Sequence, residues 1–323
     1  MQNFEGKIAV ITGGGSGIGR ALAEQLAGDG CHLALCDLSP NGMEETAALC
    51  RRINPDINIS THICDVSDEA AVLAVRDEVL AAHDTDHVNL VFANAGIGGG
   101  GSFIVDDRAD WERTFNVCWH GVYYTARAFM PLLIAAEAGH LINTSSINGV
   151  WASLGPNVAH TAYAAAKFAV KGFSEALVTD LRLHAPHVKV SVVMPGHIGT
   201  NIGINSRKIQ GKAAAMEMTT ADVASLRNQL IKRGKPVDNL PDDALRTAIK
   251  QQGENFRDKA PTSAKEAAEI ILAGVRTDRW RILVGDDAFA LDERVRANPE
   301  DAYEASFTDA LYADGHFHFT KER

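Results

Sequence analysis

Short apolar runs of strand length alternate along this chain with stretches whose apolar residues recur at helical spacing. Residues 7–11 read as a buried strand and 20–27 as the helix behind it. A second strand covers 32–37, with a helix opened by Pro40 and running to about Arg52. A third covers 57–65 and leaves through Asp65, Val66, Ser67 and Asp68 into a helix over 70–82. A fourth, 90–94, runs into Ala95, Gly96 and a glycine-rich loop ending at Gly101. One long helix is predicted over 108–135, bent or interrupted at Pro131. Strands over 140–146, 188–194 and 281–285 complete the series, with a second long helix over 160–184. Strands alternating with helices predict parallel pairing and an α/β fold with a doubly wound, seven-stranded sheet. Right-handed crossovers then bring every strand exit to one edge, where ligands bind.

The alternation lapses between 205 and 260, which is polar, lacks a strand pattern, and is helical over 213–218 and 220–231. About 55 residues is marginal for an independent core, so this segment reads as a helical insertion, a lid spanning about 201–260. Periodicity resumes as a helix over 262–273, with Thr262 or Ser263 as its cap. A single domain is therefore expected over 1–295. Beyond it lies a tail, 296–323, carrying Tyr303, Phe307, Tyr312, Phe317 and Phe319. Those rings fit either a frayed end or one docked on a partner subunit.

Composition narrows the class. A formal charge of −10, with no basic run, argues against a nucleic-acid surface. The five cysteines form no C-x-x-C pair and read as reduced, buried thiols of an intracellular protein. No charged-then-apolar leader precedes the first strand, and no stretch approaches the roughly 18 apolar residues of a membrane span. A soluble, cytoplasmic protein without membrane partners or metal is expected.

The chemistry gathers at the predicted strand exits. Between the first strand and its helix lies Thr12-Gly13-Gly14-Gly15-Ser16-Gly17-Ile18-Gly19. Glycines there let the backbone approach a pyrophosphate, and the helix's free N–H groups face the anion. Asp37 ends the second strand, where a carboxylate accepts both hydroxyls of an adenosine ribose and repels a 2′-phosphate. With Leu38 beside it and Ser16 in the loop, nothing basic offsets that repulsion, which favours NAD over NADP. Asp65 caps a helix or holds an adenine amino group. Tyr163 and Lys167 share a helix face at i and i+4. A cation beside a phenol favours the phenolate, and alcohol oxidation needs such a base. Ser145 and Ser146 end the fifth strand, where a hydroxyl can steady a substrate oxygen. Asn94 ends the fourth. Asn116 sits inside the long helix as a mediocre helix former, the kind of local conflict found at functional sites.

As an ordered set, Thr12-Gly13-x-x-x-Gly17-x-Gly19, Asp65-Val66, Asn94-Ala95-Gly96, Asn116, Ser146, Tyr163-x-x-x-Lys167 and Pro195-Gly196-x-x-x-Thr200 resemble the short-chain dehydrogenase/reductase family, in its single-domain alcohol-dehydrogenase-like branch. The resemblance covers about the first 200 residues and the elements near 262–285. It implies a Rossmann fold and a tetrad of Asn116, Ser146, Tyr163 and Lys167. Tyrosine would be the acid/base, serine would orient the substrate, lysine would hold the nicotinamide ribose, and asparagine would keep a water linking the lysine to solvent. The implied dinucleotide contacts are Gly13, Ser16, Gly17, Ile18 and Gly19, then Asp37, Asp65, Val66, Asn94 and Gly96, then Tyr163, Lys167, Pro195, Gly196, Ile198 and Thr200. Gly149, three residues on, favours Ser146 over Ser145. Two departures stand out: a longer path between Ser146 and Tyr163, expected as an enlarged loop over the substrate at 151–160, and the long insertion. Specificity is expected from 97–103, 151–154, 197–204 and the insertion. The expected reaction is NAD-dependent interconversion of a secondary alcohol and a ketone. An NAD(P)H-dependent carbonyl or 3-oxoacyl reductase and a non-catalytic NAD(H)-binding regulator are the alternatives. A homodimer or homotetramer is implied through helices 108–135 and 160–184, with Phe129, Phe168 and Phe173 as interface or core.

Overall fold

The computed structural model describes residues 1–155 and 158–317. In chain order the first half contains β1 (Ile8–Thr12), α1 (Gly17–Gly28), β2 (His32–Asp37), α2 (Pro40–Ile53), β3 (Ile59–Ile63), α3 (Glu69–His83), β4 (Leu90–Ala93), α4 (Arg108–Phe115), α5 (Gly121–Ala135) and β5 (Gly139–Thr144). The second half contains α6 (Thr161–His184), β6 (Val188–Pro195), β7 (Ile198–Gly199), α7 (Ile202–Ile209), α8 (Thr220–Lys232), α9 (Asp242–Asp258), β8 (Thr262–Ser263), α10 (Ala264–Arg276), β9 (Arg281–Val284), α11 (Asp286–Ala297) and α12 (Ala305–Ala313).

Seven parallel strands form one sheet in the order β3-β2-β1-β4-β5-β6-β9, and the order reverses between β1 and β4. Both faces are covered, so its inner strands read as continuous apolar runs. In β1, Ala9 and Ile11 pack against α1, α2 and α10, while Ile8 and Val10 face α3, α5 and α6. All five cysteines are buried and free. Among the described residues no helix is long and apolar enough to cross a membrane, and no acidic, His or Cys group could hold a metal.

Four expectations need correction. The long helix over 108–135 is two helices, and the break is not at Pro131, which α5 carries in its interior. It falls at Asn116–His120, one π turn in which Gly121 N–H reaches the Asn116 carbonyl. Such bulges collect at functional sites. The insertion holds two helices that its polar composition concealed, α7 and α9, while 213–218 forms only a short 3₁₀ turn, Ala215–Glu217. Met218, Val223 and Leu245 give the segment a small core of its own. Thr262 and Ser263 are a two-residue strand paired with β7, so the next helix starts at Ala264. Lastly, the described part of the tail folds back on its own chain. Phe307, Leu311 and Phe317 bury against Trp151, whose indole N–H donates to Ala302 O at 2.6 Å. Phe319, and residues 156 and 157 of the expected substrate loop, lie outside the described residues. Phe129 belongs to the core, whereas Phe168 is exposed.

The start of α10 offers a small quantitative check. Ser263 Oγ accepts the Glu266 N–H while the Glu266 carboxylate accepts the Ser263 N–H, a reciprocal cap. Ser263→Ala is expected to lower stability by about 1 kcal/mol. In a domain of this size that is a fall of a few degrees in Tm, roughly 2–4 °C, measurable by differential scanning fluorimetry.

Candidate active site

One cleft runs along the carboxyl edge of the sheet, over the strand-order reversal. It is lined by the glycine loop, Asp37, Asp65, Gly96, Ser146, Tyr163, Lys167 and Thr200, with Ile97, Ile202, Ile209 and Phe256 at its apolar end. Strands deliver most of these side chains, because every parallel strand ends on this edge.

The glycine loop fits a diphosphate on steric grounds. Gly13 and Gly17 hold positive φ, 70° and 54°. A Cβ on Gly19 would stand 2.1 Å from Gly13 O. Ser16, the N-cap of α1, leaves the first turn without a side-chain cap, so its N–H groups and the positive helix end are free for an anion. Asn205 of α7 donates to Ser16 Oγ at 3.2 Å, so the insertion roofs the loop. Asp37 reaches back to the same turn, its two oxygens accepting Gly15 N–H at 3.0 Å and Ser39 N–H at 2.9 Å. The expectation that nothing basic lies near it needs amendment. Arg20 comes to this turn, one helical turn behind Ser16, and donates to Gly15 O and Glu45 at 2.8 Å each. Linear spacing hid it, since its helix brings it back beneath the loop.

Asp65 accepts Ser67 on one oxygen and Arg113 on the other, at 2.9 Å. Burial pushes its carboxyl up, but those bonds outweigh it and hold it below the usual carboxylate range. Asn94 ties β4 to β1 by donating to Thr12 O at 3.0 Å. Val66 lies in the cleft wall with Asp65, and Pro195, Gly196 and Ile198 line the wall opposite.

At the chemical end, Ser146 and Tyr163 both line the cleft, and the Ser146 hydroxyl is close enough to the Tyr163 phenol to lower its pKa. Both serines line the cleft, but the Ser145 hydroxyl is committed to Lys167 O at 2.7 Å, which leaves Ser146 as the serine whose proton is free for a ligand. Lys167 is 2% exposed. Its Nζ lies 5.4 Å from the Tyr163 ring centroid and donates to Thr144 O at 2.8 Å. Burial lowers the ammonium's pKa, and Cys118 beside it opposes that. Tyr163 differs from the sequence expectation. Crowding against its neighbours pushes the phenol well above its usual value, Cys118 adds to this, and the Ser146 hydroxyl only partly offsets it. Desolvation of the phenolate is the largest influence on this phenol, and it runs against the acidification that the lysine one turn away predicts. Asn116 opens the π turn below, its side chain bonded to His120 Nδ1 at 3.0 Å.

Of the segments expected to set specificity, Ile97 and Ile202 reach the cleft, but Trp151 turns into the core. The insertion is fastened to the 97–110 segment by Lys212 to Asp110 and Arg233 to Asp106, at 2.6 Å each. Sequence reading missed Arg20, Cys118, Asn205 and Phe256. Asn205 and Phe256 line the cleft, while Arg20 and Cys118 sit behind its walls, and tertiary packing that no local spacing announces brings each there.

Comparison with known proteins agrees with this geometry. A family model described as short chain dehydrogenase matches residues 7–211. A Mycobacterium tuberculosis protein named "Putative oxidoreductase SadH" is 41% identical over 296 residues, covering 92% of each chain. Among solved structures, a short-chain dehydrogenase/reductase from Burkholderia phymatum in complex with NAD aligns with TM-score 0.74 and 28% identity, covering 93% of this chain and 96% of that one. A metagenomic short-chain oxidoreductase in complex with NADP aligns with TM-score 0.53 and 33% identity, covering 60% of this chain and 83% of that one.

Proposed function

The chain belongs to the short-chain dehydrogenase family, and on that premise we propose that it is an NAD-dependent oxidoreductase interconverting a secondary alcohol and a ketone. The observation that carries the reading is the convergence of the Tyr163 phenol, the Ser146 hydroxyl and the Lys167 ammonium at one end of a cleft whose other end is a glycine cradle. A bound dinucleotide supplies the hydride acceptor in one direction and the donor in the other. Gly13, Ser16, Gly17, Ile18 and Gly19 hold its diphosphate. Asp37 accepts the adenosine ribose hydroxyls, and Asp65 and Val66 hold adenine. Asn94 and Gly96 shape the floor, and Pro195, Gly196, Ile198 and Thr200 back the nicotinamide half.

Within the tetrad, Tyr163 removes the hydroxyl proton in oxidation and returns it in reduction. Ser146 donates to the substrate oxygen and steadies the charge that develops there. Lys167 supplies positive charge that favours the phenolate, and Asn116 holds a water on the proton path behind it. Apolar residues at the open end, Ile97, Ile202, Ile209 and Phe256, suit an uncharged substrate. Pairing through α5 and α6 is part of the same reading, supported by exposed Phe168 on α6 and by the ring cluster that Phe173 forms with Trp119 and Tyr123.

The preference for NAD rests on Asp37. The NADP alternative draws on Arg20, but its guanidinium is already occupied by Glu45, Thr46 and two carbonyls. Fluorescence titration is expected to give an NADH Kd at least tenfold below that of NADPH. A panel of secondary alcohols with NAD is expected to produce NADH. Equal affinities would remove the cofactor assignment, and binding without turnover on any alcohol would favour the non-catalytic regulator.

A further inference from the structure

We propose that Asp287, at the start of α11 and 90 residues from the turn it grips, is a positioning residue for the nicotinamide-side wall of the cleft. This rests on the dinucleotide reading above. The wall in question is Pro195-Gly196-His197, where the chain leaves β6. Beyond Pro195, which pairs with Val284, the sheet offers this turn one more bond, from Gly196 N–H to Val284 O at 2.9 Å. His197 is 5% exposed, so its N–H has no access to water and needs a partner. Asp287 provides it: Oδ2 accepts His197 N–H at 2.6 Å. Oδ1 accepts Ala288 N–H at 3.0 Å.

The same carboxylate fills the space where a side chain on Gly196 would stand. A Cβ there would lie 2.2 Å from Oδ1 and 2.4 Å from Oδ2. Glycine at 196 is thus explained by Asp287 behind the turn as well as by any ligand before it. The grip extends further. The His197 ring bonds to Phe256 O through Nε2 at 2.6 Å and packs on the Phe256 ring at 4.3 Å. Phe256 closes α9 and lines the cleft, so one carboxylate sets both the dinucleotide wall and a residue of the lid.

Holding a carboxylate here is costly. Asp287 is 3% exposed. Burial pushes its carboxyl up, and the N–H groups of His197 and Ala288, with His316 beyond, offset only part of that. Packing alone would be served as well by an uncharged side chain, whereas two converging N–H groups are best met by an acceptor-only carboxylate.

The test uses the full-length protein and whichever reduced dinucleotide, NADH or NADPH, the wild type binds. Asp287→Asn leaves an amide that can accept one N–H but turns an NH₂ toward the other. Its Kd is expected to rise about tenfold, equivalent to about 1.4 kcal/mol, with kcat within about threefold because the tetrad is untouched. The control is Asp292→Asn on the same helix. Asp292 is also buried, but it pairs with Arg281 and Arg296 and does not line the cleft. It should lower Tm while leaving Kd within twofold. Measured well below both Tm values, an unchanged Kd for Asp287→Asn, or equal losses in the two variants, would overturn the proposal. A second route does not depend on that variant folding. Gly196→Ala should weaken binding strongly in the wild type and much less in an Asp287→Ala background, where the opposing carboxylate is gone. Equal effects in both backgrounds would also overturn it. A wild type that binds neither dinucleotide refutes the proposed function itself, and this inference with it.

Discussion

Tyr163→Phe is expected to cut alcohol turnover by roughly 10²–10⁴-fold, the range that a positioned acid/base contributes, while leaving the dinucleotide Kd within about twofold. The substitution deletes one oxygen and keeps the ring, so its packing against the buried cluster beneath α5 and α6 is unchanged. What disappears is the hydroxyl that shares this end of the cleft with Ser146 and Lys167. Substrate affinity should fall only modestly, because Ser146 still donates to the substrate oxygen. A retained rate would end the assignment of the acid/base.

The same argument fixes the direction of the pH dependence. Burial raises the phenol's pKa, so at neutral pH the protonated form prevails until positive charge draws the proton off. Lys167 supplies part of that charge, though burial lowers its own pKa as well. Oxidation, which requires the phenolate, should accelerate as pH rises; ketone reduction, which requires the phenol, should accelerate as pH falls. Initial rates in the two directions between pH 6 and 10 should slope oppositely in the wild type and lose both slopes in Tyr163→Phe.

The number of sheet strands, their parallel pairing and the edge carrying the site were legible because each rests on local pattern. Ile8 to Ile11 alternate between two buried faces, and the glycines of the first turn announce a backbone that a Cβ would obstruct. Asn116 was legible as a conflict but not as a π turn, since one asparagine in a helical pattern does not say where the hydrogen-bond ladder shifts by a residue. Pro131 carried the stronger local signal and proved the weaker influence, because α5 packs around it through Phe129 and Leu133. The contacts of Arg20, Asp287 and Phe256 stayed hidden for another reason. Each depends on which helix lies over which strand, and that is settled by the whole sheet. The direction of the Tyr163 shift was misread for a related cause: a lysine one turn away is visible in sequence, but the degree of enclosure that opposes it is not.

Gly19→Ala should weaken dinucleotide binding by at least about 100-fold and lower stability by about 1–3 kcal/mol, the usual range for overpacking. The new methyl would stand 2.1 Å from Gly13 O and 2.8 Å from Gly13 C, with Asn94 Nδ2 at 3.0 Å. These neighbours have little freedom to yield. Gly13 is backbone at positive φ with Ala95 packed against its own open side, and the Asn94 amide is committed to Thr12 O. Relief must come from the loop moving outward, into the space assigned to the diphosphate. Gly28→Ala, at the other end of α1, separates this from a generic helix effect. There the methyl would meet only Ile53 Cγ2, at an ordinary 3.7 Å. That variant should bind as the wild type does and lose no stability, since alanine is the better helix former. Titration calorimetry and thermal melts on the two variants distinguish a cradle shaped around an anion from a tight turn of no chemical consequence. If Gly19→Ala loses stability but binds dinucleotide normally, the diphosphate does not rest on this loop, and the tetrad faces some other ligand.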